Sequence, residues 1–315
     1  FGQWTDSVPV LYISGQVKLE TTMQSYPDLN LRQLGDQEAD IISIVKPITK
    51  YAKMVKNPYE IRKILDKAIY LATQGRKGPV WIDIPLDIQS AIIDESQLER
   101  FNPPIIKSDD IISKNKSQID ELCSLLKTSK RPVVIAGHGI TLSGAKQDFN
   151  KLLEVLKVPV VTTINGFDII RSDHPLFIGR IGTVANRAGN FALQNSDLVI
   201  SIGSRNNIRQ ISYNWKEFAR RAKLVLVDID ENELKKPTLS PESAILSDCK
   251  DFIEILWKNV CKSDIPDYSE WINWCIERKN RYPAVQKDSI DSKNPINPYY
   301  FMQTLSQCLK DSQIV

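Results

Sequence analysis

The middle of the chain alternates amphipathic helical patterns with short runs of β-branched residues, and this alternation constrains the fold more than any other feature. The apolar runs are RPVVIAG, VPVVTTI, SDLVISIG and AKLVLVDID, with helical patterns before and between them. Strands that alternate with helices are joined by right-handed crossovers and form a parallel sheet covered on both faces. We therefore predict a complete doubly wound α/β domain of the six-strand type over residues 115–262, from a helix at about 116–128 to one at 248–260.

A second α/β domain is predicted over residues 1–93. PVLYIS (9–14) and GPVWIDIP (78–85) have the pattern of buried strands, and a helix follows Asn57-Pro58 and ends before Gly75. EADIISIVK mixes the helical and the strand period, so it stays unassigned. These elements predict a doubly wound parallel sheet that is incomplete, because it has fewer strands than a whole domain of this class.

Three further segments complete the predicted organisation. Residues 94–114 contain a Pro-Pro pair and are predicted to be a linker, and residues 263–293 a connector with one helix. Residues 294–315 are predicted to begin another domain, with a helix capped at Asn297 and Pro298 in its first position. The final SQIV has the pattern of a new strand. Since both ends fall within predicted elements, we expect the sequence to be a piece of a longer protein.

Charge and cysteine usage exclude several classes of function. The 41 Lys and Arg residues nearly balance the 38 Asp and Glu residues, and no basic run suits a nucleic acid. No apolar stretch reaches the roughly 18 residues that cross a bilayer. The five cysteines are scattered and the two histidines lack partners at metal-ligand spacing. We predict a cytoplasmic protein with reduced thiols, no metal site in this chain, and neither a nucleic acid nor a membrane as partner.

A glycine turn, Gly137-His138-Gly139, lies between a predicted strand and helix. Its backbone N–H groups could face an anion, or the turn could simply need small residues. Leu142 stands where the dinucleotide fingerprint has glycine or alanine, and no acidic residue closes the following strand, which disfavours a usual dehydrogenase. His138 is interpreted as a turn or surface residue rather than a general base.

Charged residues follow two of the predicted strands. Asp228 and Asp230 end AKLVLVDID, where a spacing of two places them on one side, suited to nucleotide hydroxyls or a ring amine, or simply to solvent. Arg205 and Arg209 follow SDLVISIG and suit phosphate or carboxylate, with a surface ion pair as the alternative. Asp83 is interpreted as a structural carboxylate. The residues alone thus predict a nucleotide pocket in the second domain, but no reaction.

Several separated motifs resemble one enzyme family. They are SVPVLYISGQV, LGDQEADIISIVKPITKYAKMV and GRKGPVWIDIPLDIQ in the first domain, and RPVVIAGHGI, VPVVTTINGFDII, FIGRIGTVANRAGNFALQNSDLVISIGSRNNIRQ and LVLVDIDENELKK in the second. Together they resemble, in the same order, the thiamine-diphosphate enzymes, in particular the acetohydroxyacid (acetolactate) synthase branch. The resemblance covers most of residues 7–260.

This resemblance implies a parent protein with pyrimidine-binding, central and diphosphate-binding domains. Such a parent uses thiamine diphosphate and Mg²⁺ to decarboxylate a 2-oxo acid such as pyruvate and to condense the product with a second carbonyl, as a homodimer or homotetramer. The family's activating glutamate would precede Phe1 and its GDG…N motif would follow Val315, so we expect this chain alone to be inactive. The alternatives are a non-catalytic nucleotide-binding or assembly module, and a lyase or hydrolase with the same cofactor.

The resemblance also assigns site residues. Gln37 matches the glutamine of the family's FQE motif, near the pyrimidine ring. In the central domain, where the synthases hold FAD, His138 replaces a glycine and Asn207 and Ile208 replace the acids of RFDDR. FAD, another adenine nucleotide and an empty pocket therefore remain three alternatives. The residues that match the family's cofactor contacts are Gly137, His138, Gly139, Thr163, Ile164, Arg180, Ile181, Gly182, Arg205, Arg209, Asp228, Asp230 and Asp248.

Overall fold

A computed structural model describes residues 1–104, 109–291, 295–310 and 313, with the side chains of 109–114 left undescribed. The chain divides into two compact units, residues 1–107 and residues 108–315. The strand predicted for SQIV lies outside the described residues, apart from Gln313. Both units are α/β with parallel sheets, so the predicted fold class is confirmed.

The first unit contains a three-stranded parallel sheet in the order β1-β3-β2. Its strands are β1 (Leu11–Gln16), β2 (Tyr51–Met54) and β3 (Val80–Pro85). Its helices are α1 (Gly2–Asp6), α2 (Ile41–Val45), α3 (Ile61–Thr73) and α4 (Leu86–Gln89), with 3-10 turns at Leu19–Thr21, Met23–Ser25, Lys46–Ile48, Pro58–Glu60 and Glu95–Gln97.

Helix α3 shows how the sequence fixes this unit. The Asn57 side chain accepts a hydrogen bond from the Tyr59 N–H at the turn that leads into α3, as the Asn-Pro pattern predicts. Ile64 and Ala68 are buried on one face of the helix and pack with Val80 and other buried residues of the sheet. Within the unassigned EADIISIVK, Ile41–Val45 form the short helix α2, which the Asp40 side chain caps. Strand β2 after it was missed because it is short and contains no β-branched residue.

The second unit contains six parallel strands in the order β6-β5-β4-β7-β8-β9. They are β4 (Pro132–Ala136), β5 (Val160–Thr162), β6 (Phe177–Arg180), β7 (Leu198–Ile202), β8 (Lys223–Asp228) and β9 (Ser243–Leu246). Counted within the unit, this is the order 3-2-1-4-5-6, in which the direction of winding reverses between β4 and β7. The predicted six-strand domain is therefore present. Strands β6 and β9 have no counterpart among the apolar runs because each contains only one β-branched residue.

Helices cover this sheet and extend beyond it. They are α5 (Asp109–Thr128), α6 (Gly139–Leu142), α7 (Lys146–Leu156), α8 (Arg187–Asn195), α9 (Ile208–Ile211), α10 (Glu231–Leu234), α11 (Cys249–Val260), α12 (Ser269–Arg281), α13 (Lys287–Asp291) and α14 (Pro298–Cys308), with 3-10 turns at Ile164–Gly166 and Trp215–Glu217. Helix α5 begins inside the predicted linker. The Asn297 side chain caps α14 as predicted, by accepting from the Tyr299 N–H.

Each face of the six-stranded sheet carries its own apolar core. Phe149 of α7 and Phe252 of α11 are fully buried on one face. On the other face Trp271 of α12 packs with Val133 and Val161, and its indole N–H donates to Pro132 O at 3.0 Å. Alternate residues of the strands thus face opposite cores, as a sheet covered on both sides requires.

Within the described ranges, no helix has both the length and the apolar character needed to cross a membrane.

Removal of one buried ring tests this packing. Phe252→Ala empties a site with no solvent exposure, so we expect the free energy of unfolding to fall by about 3–5 kcal/mol. Phe167→Ala removes a ring that is 62% exposed and serves as the matched control, with a loss within about 0.5 kcal/mol. Urea denaturation measures both values. Equal losses in the two variants would contradict the assigned core.

Candidate functional site

The carboxyl ends of all six strands of the second sheet lie along one edge, because the strands are parallel. The structure brings the predicted central-domain residues together there, each at the end of a strand or in the segment that follows it. Gly137, His138 and Gly139 follow β4; Thr163 and Ile164 follow β5; Arg180 ends β6 before Ile181 and Gly182; Arg205 and Arg209 follow β7; Asp228 ends β8 before Asp230; Asp248 follows β9.

The loops after β4 and β7 are joined by their backbones at the point where the winding reverses. Gly137 N–H donates to Ile202 O at 2.9 Å, and Gly139 N–H donates to Gly203 O at 3.0 Å. A Cβ at Gly137 would lie 2.2 Å from Gly203 O, and one at Gly139 2.7 Å from Gly203 Cα. These two amides are therefore already paired, and the need for small residues, one of the two interpretations from sequence, accounts for the turn.

His138 lies between these glycines and leaves one ring atom without a partner. Its Nδ1 is enclosed and has no hydrogen bond among the described residues. Next to it, Lys146 Nζ contacts Asp168 Oδ2 at 2.5 Å. Burial by itself raises the pKa of Asp168, but the Lys146 hydrogen bond and charge, with a contribution from His138, hold it below its ordinary value. A polar cluster thus borders the turn, and sequence reasoning missed Lys146 and Asp168.

The segment after β7 is shaped by a buried polar network. Asn206 has a left-handed backbone (φ 46°), and its Oδ1 accepts from Ser201, Ser204 and Gln210 at 3.0–3.2 Å. Arg205 O accepts from Lys236 Nζ at 2.8 Å. These hydrogen bonds hold the backbone around Arg205. Its half-buried side chain therefore extends from a fixed backbone position at the edge of the sheet.

Two further arginines lie on this edge. Arg209 is exposed in the short helix α9, and its carbonyl accepts from Thr183 N–H at 3.1 Å. Gly182 lies beside it with φ 114°, where a Cβ would come within 3.1 Å of Arg209 O. Arg180, also exposed, donates its backbone N–H to Asn186 Oδ1 at 3.0 Å. The segments after β6 and β7 therefore pack together and leave the Arg180 and Arg209 side chains in solvent.

The three predicted acids fulfil different local roles. Strand β8 ends at Asp228, so Asp230 lies just beyond the strand whose period was used to predict its side. Asp230 instead caps α10 by accepting from Asn232 N–H, while Asp228 Oδ1 accepts from Asp230 N–H, both at 2.9 Å. Asp248 caps α11 by accepting from Lys250 N–H at 2.7 Å. All three carboxylates lie at the edge, and those of Asp230 and Asp248 also cap the N-termini of helices.

The Cys249 side chain packs against the glycine loops after β4 and β7. A Cβ at Gly203 would lie 2.6 Å from its Sγ, and one at Gly139 3.2 Å from it. Burial raises the pKa of the Cys249 thiol strongly, and the charges of Asp248 and Asp228 raise it further. The thiol is therefore a packing group rather than a nucleophile.

In the first unit, Gln37 lies in the segment between β1 and α2. It is exposed and has a left-handed backbone (φ 65°). The neighbouring Glu38 is buried, and its carboxylate accepts three backbone N–H groups, from Met23 at 2.6 Å, Leu34 at 2.9 Å and Gly35 at 3.2 Å. Glu38, which sequence reasoning did not single out, thus shapes the segment that presents Gln37.

Asp83 is a fully buried carboxylate near the end of β3, in agreement with its interpretation as structural. Its Oδ1 accepts from Ser14 Oγ at 2.6 Å and its Oδ2 from Gln16 Nε2 at 3.1 Å. Burial raises the pKa of Asp83, and the charge of Asp40 adds to this, although the hydrogen bonds from Ser14 and Gln16 lower it.

No group of three or more His, Cys, Asp or Glu side chains with metal-binding geometry occurs in the part of the chain whose placement is described.

Residues 119–256 match the family described as thiamine pyrophosphate enzyme, central domain. The chain is 33% identical, over 98% of its length, to a probable acetolactate synthase large subunit of Methanocaldococcus jannaschii, and covers 50% of that protein. It is 34% identical, over 89% of its length, to the acetolactate synthase large subunit of Lactococcus lactis, and covers 46% of it.

Residues 119–256 belong to the central-domain family of thiamine pyrophosphate enzymes. The resemblance read from the motifs is therefore confirmed. Glyoxylate carboligase of Escherichia coli O157:H7 is 31% identical over 93% of this chain and is matched over 47% of its own length. The chain spans about half the length of the curated relatives it matches. Every central-domain residue that matches a cofactor contact of the family lies at the edge of the six-stranded sheet described above.

The glycine loops give a direct test of this edge. Gly137→Ala places a methyl group against the backbone of Gly203, so we expect it to cost about 3 kcal/mol of unfolding free energy. Gly2→Ala is the matched control, because a Cβ there meets nothing within 4 Å. Thermal and urea unfolding measure both. A Gly137→Ala protein as stable as Gly2→Ala would mean that the two loops do not touch as described.

The buried carboxylate gives a test by pH. Because the pKa of Asp83 is raised in the folded protein, the native state binds more protons than the unfolded state above about pH 4, and its contribution to stability falls as pH rises. The Asp83→Asn variant lacks this titrating group. Its free energy of unfolding, compared with that of the wild type, should therefore rise between about pH 4 and about pH 7.

Asp40→Asn is the control with the opposite sign. Burial raises the pKa of Asp40, but hydrogen bonds from Ser43 and Gln24 hold it below its ordinary value. The contribution of Asp40 to the free energy of unfolding is therefore present at neutral pH and lost as pH falls. Urea titrations across this range measure both slopes. The same slope in the two variants would refute the assignment for Asp83.

Proposed function

We propose that this chain is part of an acetolactate-synthase-like, thiamine-diphosphate-dependent enzyme that decarboxylates a 2-oxo acid and condenses the product with a second carbonyl. The observation that carries the proposal is the match to a probable acetolactate synthase large subunit across 98% of the chain. It covers the Gln37 segment as well as the central domain, so both candidate regions enter the comparison.

Thiamine diphosphate, held in family members with Mg²⁺, supplies the nucleophilic carbon and the electron sink for loss of carbon dioxide. On this chain the residue that suits the cofactor is Gln37. Its amide is exposed, so it can donate and accept hydrogen bonds at a ring, and Glu38 fixes the backbone beside it through three N–H groups. Its proposed part is to orient the reacting groups near the pyrimidine ring.

We further propose that the edge of the six-stranded sheet binds an adenine nucleotide, with FAD as the first candidate. The fit rests on three arginines, Arg180, Arg205 and Arg209, on the Asp228 carboxylate, and on the unpartnered His138 Nδ1. Because the Gly137 and Gly139 amides are already paired, the guanidinium groups rather than the glycine turn bind the diphosphate in this proposal.

Oligomeric state and compartment complete the proposal. We infer a homodimer or homotetramer acting in the cytoplasm on a small 2-oxo acid. The family resemblance supports the assembly, and the five free cysteines, with no disulfide among them, support a reducing compartment. Light scattering of the full-length protein tests the assembly.

The reaction is tested with the full-length protein. With pyruvate, thiamine diphosphate and Mg²⁺ we expect release of carbon dioxide and formation of acetolactate, both lost when either cofactor is withheld. Glyoxylate is the second substrate to include, because one relative is a glyoxylate carboligase. Carbon dioxide release without condensation would instead indicate a lyase. No turnover of any 2-oxo acid would overturn the enzyme proposal and leave a non-catalytic nucleotide-binding or assembly module.

The nucleotide is tested by calorimetry on this chain with FAD and with ADP. Arg209→Gln should weaken binding about 10- to 150-fold, because one charge-assisted hydrogen bond of about 1.5–3 kcal/mol is lost. Arg220→Gln is the control, since Arg220 is 61% exposed and pairs with Glu217. Lack of binding by either nucleotide, or equal affinity in both variants, would contradict the proposal.

A further inference from the structure

The Gln16 side chain joins the first sheet to the segment that presents Gln37. Its Nε2 donates to Ala39 O at 2.8 Å and to Asp83 Oδ2 at 3.1 Å, while its Oε1 accepts from Val17 N–H at 3.0 Å. One amide therefore uses both of its N–H bonds and its oxygen. It connects the end of β1, the buried acid of β3, and a main-chain carbonyl two residues after Gln37.

Asp83 makes this connection rigid. It has no solvent exposure, and Ser14 Oγ holds its other oxygen at 2.6 Å while accepting from Trp81 Nε1 at 2.8 Å. The Ser14 hydrogen bond holds the carboxylate whose Oδ2 accepts from the Gln16 amide, and the second N–H of the same amide donates to Ala39 O.

The segment between β1 and α2 has few other attachments to the sheet. Leu19 N–H donates to Asp87 Oδ1 at 2.9 Å near its start. The Glu38 bonds to Met23, Leu34 and Gly35 hold the segment to itself. The Gln16 side-chain bond to Ala39 O joins the Gln37 end of the segment to the strands.

We propose that Gln16, anchored by Asp83, is a positioning residue that sets the place of Gln37 through its hydrogen bond to the Ala39 carbonyl. The inference rests on the proposed function, because it assigns Gln37 a place beside the reacting groups. Gln16 acts through the backbone and does not itself touch the substrate or cofactor.

Hydrogen exchange on this chain tests the anchor without any activity measurement. Gln16→Glu keeps the size of the side chain but removes both N–H donors, so peptides covering 33–40 should exchange at least about tenfold faster, while α3 stays unchanged. Gln89→Glu is the matched control. It removes an amide that donates to Ile84 O at 2.7 Å at the end of the same sheet.

A double variant separates the two bonds of Gln16. In Gln16→Glu with Asp83→Asn, the new amide at 83 can donate to the new carboxylate at 16, so that contact is restored. Ala39 O keeps its hydrogen bond from Ile41 N–H at 2.8 Å but still lacks the donor from residue 16. We expect exchange over 33–40 to remain fast. Slow exchange in the double variant, or unchanged exchange in Gln16→Glu, would overturn the anchor.

Kinetics of the full-length enzyme tests the link to Gln37. Gln16→Glu should lower kcat more than it raises KM for pyruvate, and should have no further effect on kcat in a Gln37→Ala background. If the losses in kcat caused by Gln16→Glu and by Gln37→Ala multiply in the double variant, the positioning role of Gln16 is overturned. A Gln37→Ala enzyme with full activity, or a parent without 2-oxo acid turnover, would refute the proposed function instead, and hydrogen exchange would then decide the anchor alone.

Discussion

The contact between the glycine loops after β4 and β7 is the constraint on which the second unit depends. Two backbone hydrogen bonds and a near-contact of main chains hold the strands together at the point where the winding reverses. No side chain fits between Gly137 and Gly203, and Cys249 fills the space below them. The remaining strands extend outward from this pair, so their carboxyl ends, and the charged residues that follow them, fall along one edge.

Both units place buried polar groups directly beside candidate residues that are half-buried or exposed. In the second unit, Asn206 collects three donors next to Arg205. In the first, Glu38 collects three backbone N–H groups next to Gln37. Buried polar groups cost free energy unless they are paired, so such networks favour one backbone arrangement over its alternatives. The candidate side chains are therefore carried on backbones that are held by hydrogen bonds.

The sequence predicts the larger features of this molecule well, because they depend on local periods. Helix α3, helix α14 with its Asn297 cap, and the long apolar strands all follow from spacing and capping residues. Strands β2, β6 and β9 were missed because they are short and none contains a run of β-branched residues, unlike the even shorter β5.

The details of the site depend on contacts that spacing cannot show. The convergence of the candidate residues at one edge follows from parallel strands and was predictable in outline. That Gly137 and Gly139 pair with the loop after β7, that Asp230 caps a helix, and that Gln16 reaches Ala39 are contacts between distant or irregular segments. Such contacts depend on tertiary geometry rather than on local pattern.

We propose above all that the ligand of the second unit binds at the edge organised by the glycine loops. Hydrogen exchange of this chain, measured with and without saturating FAD or ADP, tests that claim most directly. We predict slower exchange in peptides covering 137–142, 203–211 and 228–234, the segments that follow β4, β7 and β8, with little change elsewhere. Protection on another surface, or none at all, would contradict it.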